Sequence, residues 1–192
     1  LLVLGGSQGA ASLNKWVKKN LSDLAGEGIA TLCITGMGKD SSGVVQLDGP
    51  ADEIITSRFI AFTDEMNVLL SAADLVVSRA GAGAIAEIVR CRVPSILIPY
   101  PFAADNHQLH NARFLEVKGG GLVCKDEDLT EKLFKEVQEM MFNEELRAIL
   151  RRNLFAMDGG DVGSRIVDDM KQLVTEREMS LDTQGRNLAV YA

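Results

Sequence analysis

Short, continuously apolar runs alternate along the chain with segments whose apolar positions recur every three or four residues. The opening run Leu1-Leu2-Val3-Leu4 predicts a strand over residues 1–4. A helix is predicted over 10–24, after a glycine turn. Further strands are expected at 29–35, 58–62, 75–78, 95–99 and 122–124. Further helices are expected at 64–72, with Asp64 as N-cap, and at 82–91, 106–117, 129–141, 144–157 and 162–174. The stretch 36–57 is rich in Gly, Asp and Ser and weakly periodic, and reads as a loop with a short helix near 51–55. The expected domain is 1–174, followed at 175–192 by a tail without clear period.

Strands this short and this apolar are buried on both faces. Their alternation with helices predicts an α/β fold, a doubly wound, Rossmann-like parallel sheet. Ligands of such sheets bind beyond the carboxyl ends of the strands. Three motifs fall at such ends.

The first, Gly5-Gly6-Ser7-Gln8-Gly9-Ala10, lies between strand one and helix one. Glycines allow close backbone approach, and the following helix N-terminus offers free N–H groups to a diphosphate. The alternative is a tight turn holding no ligand. The spacing is not GxGxxG, and strand two ends Ile34-Thr35-Gly36 without the acid that would hold an NAD ribose. No Gly-Lys-Ser/Thr follows, so the motif is not a P-loop.

The second, Ser78-Arg79-Ala80-Gly81-Ala82-Gly83-Ala84-Ile85-Ala86-Glu87, opens another helix with small residues. Glu87, about one turn in, can accept two hydrogen bonds from a ribose diol, or simply balance the helix dipole. Arg79 is a ligand candidate or a structural ion-pair partner. The third motif runs from Pro99 to Ala112. Its prolines stiffen a loop after which Asn106, His107 and Gln108 can read sugar hydroxyls, with Asp105 or Asn106 also placed to cap a helix. His107 and His110 lack a further ligand cluster, so no metal site is expected.

Composition adds bounds. Of 192 residues, 46% are apolar and 24% charged, which is globular and ample for a core. A net charge of −7 and 5% aromatics oppose nucleic-acid binding. No apolar run reaches the length of a membrane span. Cys33, Cys91 and Cys124 have no CxxC spacing and read as reduced thiols of a cytoplasmic protein. The chain opens on a buried strand with neither Met nor leader, so a longer polypeptide with a preceding domain is expected.

In order and spacing these motifs resemble glycosyltransferase family 28, and within it the C-terminal, donor-binding domain of the MurG family, over residues 1–174. The resemblance rests on GGSQGA with Leu13-Asn14, on Phe62-Thr63-Asp64-Glu65-Met66, on SRAGA with Ala86-Glu87, and on the run from Pro94 to Ala112. It implies half of a two-domain GT-B fold. It implies an inverting hexosyltransferase that moves GlcNAc from UDP-GlcNAc to a lipid-linked acceptor, undecaprenyl-diphospho-MurNAc-pentapeptide, in peptidoglycan synthesis. By position, Ser7 and the backbone of Gly5, Gly6, Gln8 and Gly9 would hold the diphosphate. The backbone at Thr63 would read the uracil edge. Ala82, Gly83 and Ala84, with Arg79 and Gly81 beside them, would line the phosphate and ribose region. Glu87 would bind the ribose hydroxyls, and His107 and Gln108 sit where the family contacts the sugar hydroxyls. Ala84 stands where many relatives have Thr or Ser, and His107 where some have Gln.

The resemblance further implies no cofactor and no metal. It puts the catalytic base, the acceptor site and the membrane-docking patch in an N-terminal domain outside these residues. The full protein would then be cytoplasmic, peripheral on the inner membrane, and this chain alone would bind donor without turnover. The alternatives are the soluble half of a split GlcNAc transferase and a non-catalytic UDP-sugar binding module.

Overall fold

In a computed structural model, residues 1–5, 11–38, 42–160 and 162–188 are described, with backbone alone at 162 and 178–188. The chain divides into two compact units, Leu1–Asp158 and Gly159–Ala192.

The first unit is built on a seven-stranded sheet of order β3-β4-β2-β1-β5-β6-β7. Its strands are β1 (Leu2–Leu4), β2 (Leu32–Ile34), β3 (Gly43–Asp48), β4 (Ile54–Ile60), β5 (Val76–Ser78), β6 (Ser95–Leu97) and β7 (Gly121–Val123). The helices are α1 (Ala11–Gly26), α2 (Met66–Ala72), α3 (Ala82–Cys91), α4 (His107–Val117), α5 (Phe134–Phe142) and α6 (Glu144–Met157). All strand pairs are parallel except β3 with β4. β1 is central, with Leu2, Val3 and Leu4 facing Leu32, Cys33 and Ile34 on one side and Val76, Val77 and Ser78 on the other.

Alternate strand residues feed two cores. Val3, Cys33, Val77 and Ile96 pack with Leu13, Trp16 and Val17 of α1 and with Leu133 and Val137. Leu2, Leu4, Ile34, Val76 and Leu97 pack with Leu70 of α2, Ile88 of α3 and Leu115 of α4. A period of two puts neighbouring residues on opposite faces, which explains why the strands read as unbroken apolar runs.

The segment expected as a loop with a short helix is instead a hairpin. β3 runs antiparallel to β4, from Gly43 opposite Phe59 to Asp48 opposite Ile54. The expected short helix is replaced by a turn in which Gly49 N–H donates to Glu53 O at 2.8 Å. Val45 and Leu47 pack against the core while Val44, Gln46 and Asp48 face out. The period of two is present, but the polar residues around it mask it. The parallel sheet therefore carries one antiparallel edge strand.

One cap also differs from expectation. α2 begins at Met66 with Glu65, not Asp64, in the N-cap position and with no side-chain cap bond. Instead Thr63 Oγ1 accepts the Glu65 N–H at 3.0 Å. At the end of α4, Gly119 takes φ +67°, the left-handed conformation that favours glycine. The helix expected at 129–141 opens as a wide π-type turn, Leu129–Leu133, before α5.

The second unit contains α7 (Val162–Leu188). The helix expected to stop at 174 continues, because Glu176, Arg177, Glu178 and Met179 sustain helix by propensity without extending the apolar period. Ile166, Val167, Met170, Leu173 and Val174 form its apolar stripe.

Candidate functional site

The chain passes from β1 to β2 and β4 on one side, then returns to lay β5, β6 and β7 on the other. The strand order therefore reverses between β1 and β5, and the loops beyond their carboxyl ends flank a crevice suited to a ligand. Gly5 follows β1, Thr63 follows β4, Arg79 to Ala84 follow β5, and Asn106 to Gln108 follow β6. Gly5 is buried. Gly6, Ser7, Gln8 and Gly9 lie outside the described residues.

α3 starts at Ala82 with Gly81 as N-cap, in extended backbone with φ −67° and ψ 146°. Ile85 N–H donates to Gly81 O at 3.0 Å, which leaves the Ala82, Gly83 and Ala84 N–H groups as the open end of the helix. No acidic side chain occupies the first turn. A Cβ placed on Gly81 or Gly83 would meet nothing among the described residues within 4 Å. Among the described residues the helix end is thus bare, unobstructed and positive. Glu87 is exposed further along the same helix, with no ion pair to any described residue.

The third motif is shaped by backbone. Asp105 and Asn106 are successive left-handed residues, φ 49° and φ 51°, in a short 3₁₀ turn that leads into α4. Neither caps α4 with its side chain, contrary to expectation. The imidazole Nδ1 of His107 lies 2.7 Å from Ala104 O. A carbonyl only accepts, so the proton of the neutral ring sits on Nδ1 and Nε2 is left as an acceptor. Gln108 Oε1 accepts the Tyr100 N–H at 3.0 Å, leaving its amide nitrogen as the donor that faces outward. Asn111 Nδ2 donates to Ala80 O at 3.2 Å and ties α4 to the loop after β5.

Arg79 has a different environment from that of a surface ligand contact. Its Nη1 donates to Ile98 O at 3.2 Å and to Pro99 O at 3.4 Å. Its Nη2 donates to Ser12 Oγ at 2.8 Å and lies 2.7 Å from Asp126 Oδ1. The guanidinium carbon stands 5.5 Å from the centre of the Tyr100 ring, which is edge-on to the exposed Phe102. The sequence singled out Arg79 but none of its partners. Asp126 sits in an acidic turn that reads locally as a helix start, and Ser12 as an ordinary first-turn residue.

Thr63 is half-buried and its hydroxyl is engaged with the Glu65 N–H. Among the described residues no group of three or more His, Cys, Asp and Glu side chains is placed to hold a metal. No helix among them is long and apolar enough to cross a membrane.

The family described as glycosyltransferase family 28 C-terminal domain matches residues 1–156. The chain is 45% identical over 173 residues to UDP-N-acetylglucosamine--N-acetylmuramyl-(pentapeptide) pyrophosphoryl-undecaprenol N-acetylglucosamine transferase of Opitutus terrae, covering 90% of this chain and 46% of that protein. It is 38% identical over 183 residues to the same-named protein of Desulfotalea psychrophila, covering 93% of this chain and 49% of the other. The chain thus spans less than half the length of either relative. In fold it is similar to the crystal structure of Acinetobacter baumannii MurG, with a TM-score of 0.69 at 24% identity, over 89% of this chain and 49% of that one.

Proposed function

This chain belongs to glycosyltransferase family 28 as a C-terminal domain of that family, and on that premise we propose that it binds UDP-N-acetylglucosamine as the donor half of an inverting N-acetylglucosaminyltransferase. The observation that carries the reading is the bare N-terminus of α3 at the sheet's switch point. Ala82, Gly83 and Ala84 offer three N–H groups, open space lies over Gly81 and Gly83, and Glu87 stands further along the same helix.

In this reading the diphosphate sits on the N–H groups of α3, together with the Gly5–Gly9 loop. Glu87 accepts two hydrogen bonds from the ribose diol. Thr63 borders the uracil. The sugar hydroxyls lie between the acceptor Nε2 of His107 and the donor amide of Gln108, with Asn106 beside them. Ala84 supplies its backbone N–H and no hydroxyl.

The reaction is displacement at the anomeric carbon. The acceptor hydroxyl oxygen forms the new bond, its proton goes to a base, and the bond to the diphosphate breaks with its electron pair leaving on UDP. Charge develops on the diphosphate, where fixed N–H groups stabilise it without reorganisation. The chain's part is to bind and orient the donor and to stabilise the leaving group.

The base, the lipid-linked N-acetylmuramyl-pentapeptide acceptor and its membrane contact are assigned to the part of such an enzyme outside these residues. The whole protein then works as a cytoplasmic, peripheral enzyme of peptidoglycan synthesis.

Calorimetric titration with UDP, UDP-GlcNAc, UDP-glucose and NAD tests the reading. Saturable binding of UDP and UDP-GlcNAc without NAD is the expected result. Silence toward every uridine ligand overturns it.

A further inference from the structure

We propose that Asp126 is a positioning residue of the donor site and acts through Arg79. The inference rests on the donor-binding reading above and concerns a residue outside all the sequence motifs.

Arg79 is 9% exposed, so its charge must be answered inside the protein. Asp126 is the carboxylate that answers it, at 2.7 Å. Both Nη nitrogens are committed to protein acceptors, Nη1 to the carbonyls of Ile98 and Pro99 and Nη2 to Ser12 and Asp126. Ser12 Oγ in turn donates to the same Asp126 oxygen at 2.9 Å. One buried cation thus gathers the first turn of α1, the end of β6 and the turn after β7, while being itself the first residue after β5.

These elements border the carboxyl ends of β1, β5 and β6, where the donor-binding reading puts the ligand. Ser12 stands just after the glycine loop that follows β1. Pro99 leads into Tyr100, whose ring lies against the guanidinium and whose N–H holds Gln108. Without the carboxylate, a buried guanidinium keeps only neutral acceptors, and its cheapest course is to move toward water. The loops it fastens would then lose their common anchor. Asp126 therefore sets the relative position of the first turn of α1 and the loop after β6 that carries Tyr100, without touching the ligand.

The test uses the full chain with Asp126→Asn, Arg79→Lys, the double variant, and Asp128→Asn as an acid of the same turn whose partner is Lys132. UDP affinity is measured by titration, and amide hydrogen exchange is followed at Ser12, Leu13, Tyr100 and Phe102. Asp126→Asn is expected to weaken UDP roughly ten-fold, the size of one charge-assisted hydrogen bond. The double variant should be no weaker than Arg79→Lys alone, since both changes open one linkage. Exchange should quicken at both loops, and Asp128→Asn should bind UDP like the parent. Should Asp126→Asn fail to fold, Ser12→Ala removes one arm of the same carboxylate and carries the same expectation at smaller size.

Parent-like UDP affinity in Asp126→Asn overturns the inference. So does weakened binding with unchanged exchange, which would place the carboxylate's effect elsewhere than through Arg79. A parent chain silent to uridine ligands overturns the donor reading itself, and with it this inference.

Discussion

Gln108 Oε1 accepts the backbone N–H of Tyr100 at 3.0 Å, so one half of this side chain holds the loop after β6 and the other half is left for a ligand. The backbone N–H can only donate, which fixes the amide's orientation. Gln108→Glu keeps the acceptor and removes the outward donor. Gln108→Ala removes both. Both variants should weaken UDP-GlcNAc by about three- to ten-fold, the worth of a typical hydrogen bond, and leave UDP nearly unchanged. Only Gln108→Ala should also quicken exchange of the Tyr100 amide. Equal losses for UDP and UDP-GlcNAc would refute a role at the sugar.

Gly83 separates stability from binding. A Cβ there meets nothing within 4 Å, and the residue is helical. Gly83→Ala should raise the stability of the chain by about 0.5–1 kcal/mol through helix propensity. The same methyl stands at the helix end to which the proposal assigns the diphosphate, so UDP affinity should fall. Thermal unfolding and titration of one variant read the two effects. Unchanged UDP affinity would move the phosphate away from α3.

Glu87 is exposed and unpaired among the described residues, so Glu87→Ala should change stability by less than about 0.5 kcal/mol. Its carboxylate is assigned the ribose diol, and hydrogen bonds to a charged group are worth roughly 1.5–3 kcal/mol. UDP binding should fall on the order of ten- to a hundred-fold. A 2′,3′-dideoxyuridine diphosphate should bind parent and variant alike. A loss with the dideoxy ligand as large as with UDP would show that Glu87 does not read the diol.

Burial, followed by the neighbouring Glu136 carboxylate, pushes the Cys124 thiol up to about 12 from an ordinary 9.0. Between these values the folded chain keeps a proton that the unfolded chain releases, so stability falls as pH rises from 9 toward 12. The loss from this one group between pH 9 and 10.5 is on the order of 2 kcal/mol. Glu136 is itself held above the usual carboxylate value, by burial first. Its contribution is lost in the same sense as pH rises, starting from the ordinary carboxylate range. Urea unfolding at pH 8, 9 and 10.5 measures the slope, and Cys124→Ala should flatten it. An equally steep variant would remove Cys124 as the cause. At pH 8 a thiol reagent should label the half-buried Cys91 ahead of the buried Cys33 and Cys124.

Much of the fold was legible in the residue order. β1, β5, α3 and α4 appear at or within a residue of their expected places, since a continuous apolar run or a 3–4 spacing is a local signal. β3 was not legible. Val44, Val45 and Leu47 lie among glycines, serines and acids, and become a strand only because β4 offers its edge in register. The caps at Asp64 and Asp105 were misread for a related reason. Side-chain type favoured a cap, while the backbone around Thr63 and Asn106 took a different turn.

The candidate site divides along the same line. Glycines at strand ends, a helix opening on small residues and the Asn106-His107-Gln108 start of α4 are short-range patterns, so the sequence by itself determined which strand ends carry the candidate residues. The partners of Arg79 were decided only by the tertiary structure. Ser12, Ile98, Pro99 and Asp126 lie on separate elements and reach one guanidinium because the parallel sheet brings the carboxyl ends of β1, β5, β6 and β7 to one edge. The sequence fixes no distance between residues so far apart. Strand order and register do, because each pairing sets its neighbour within one hydrogen-bond spacing.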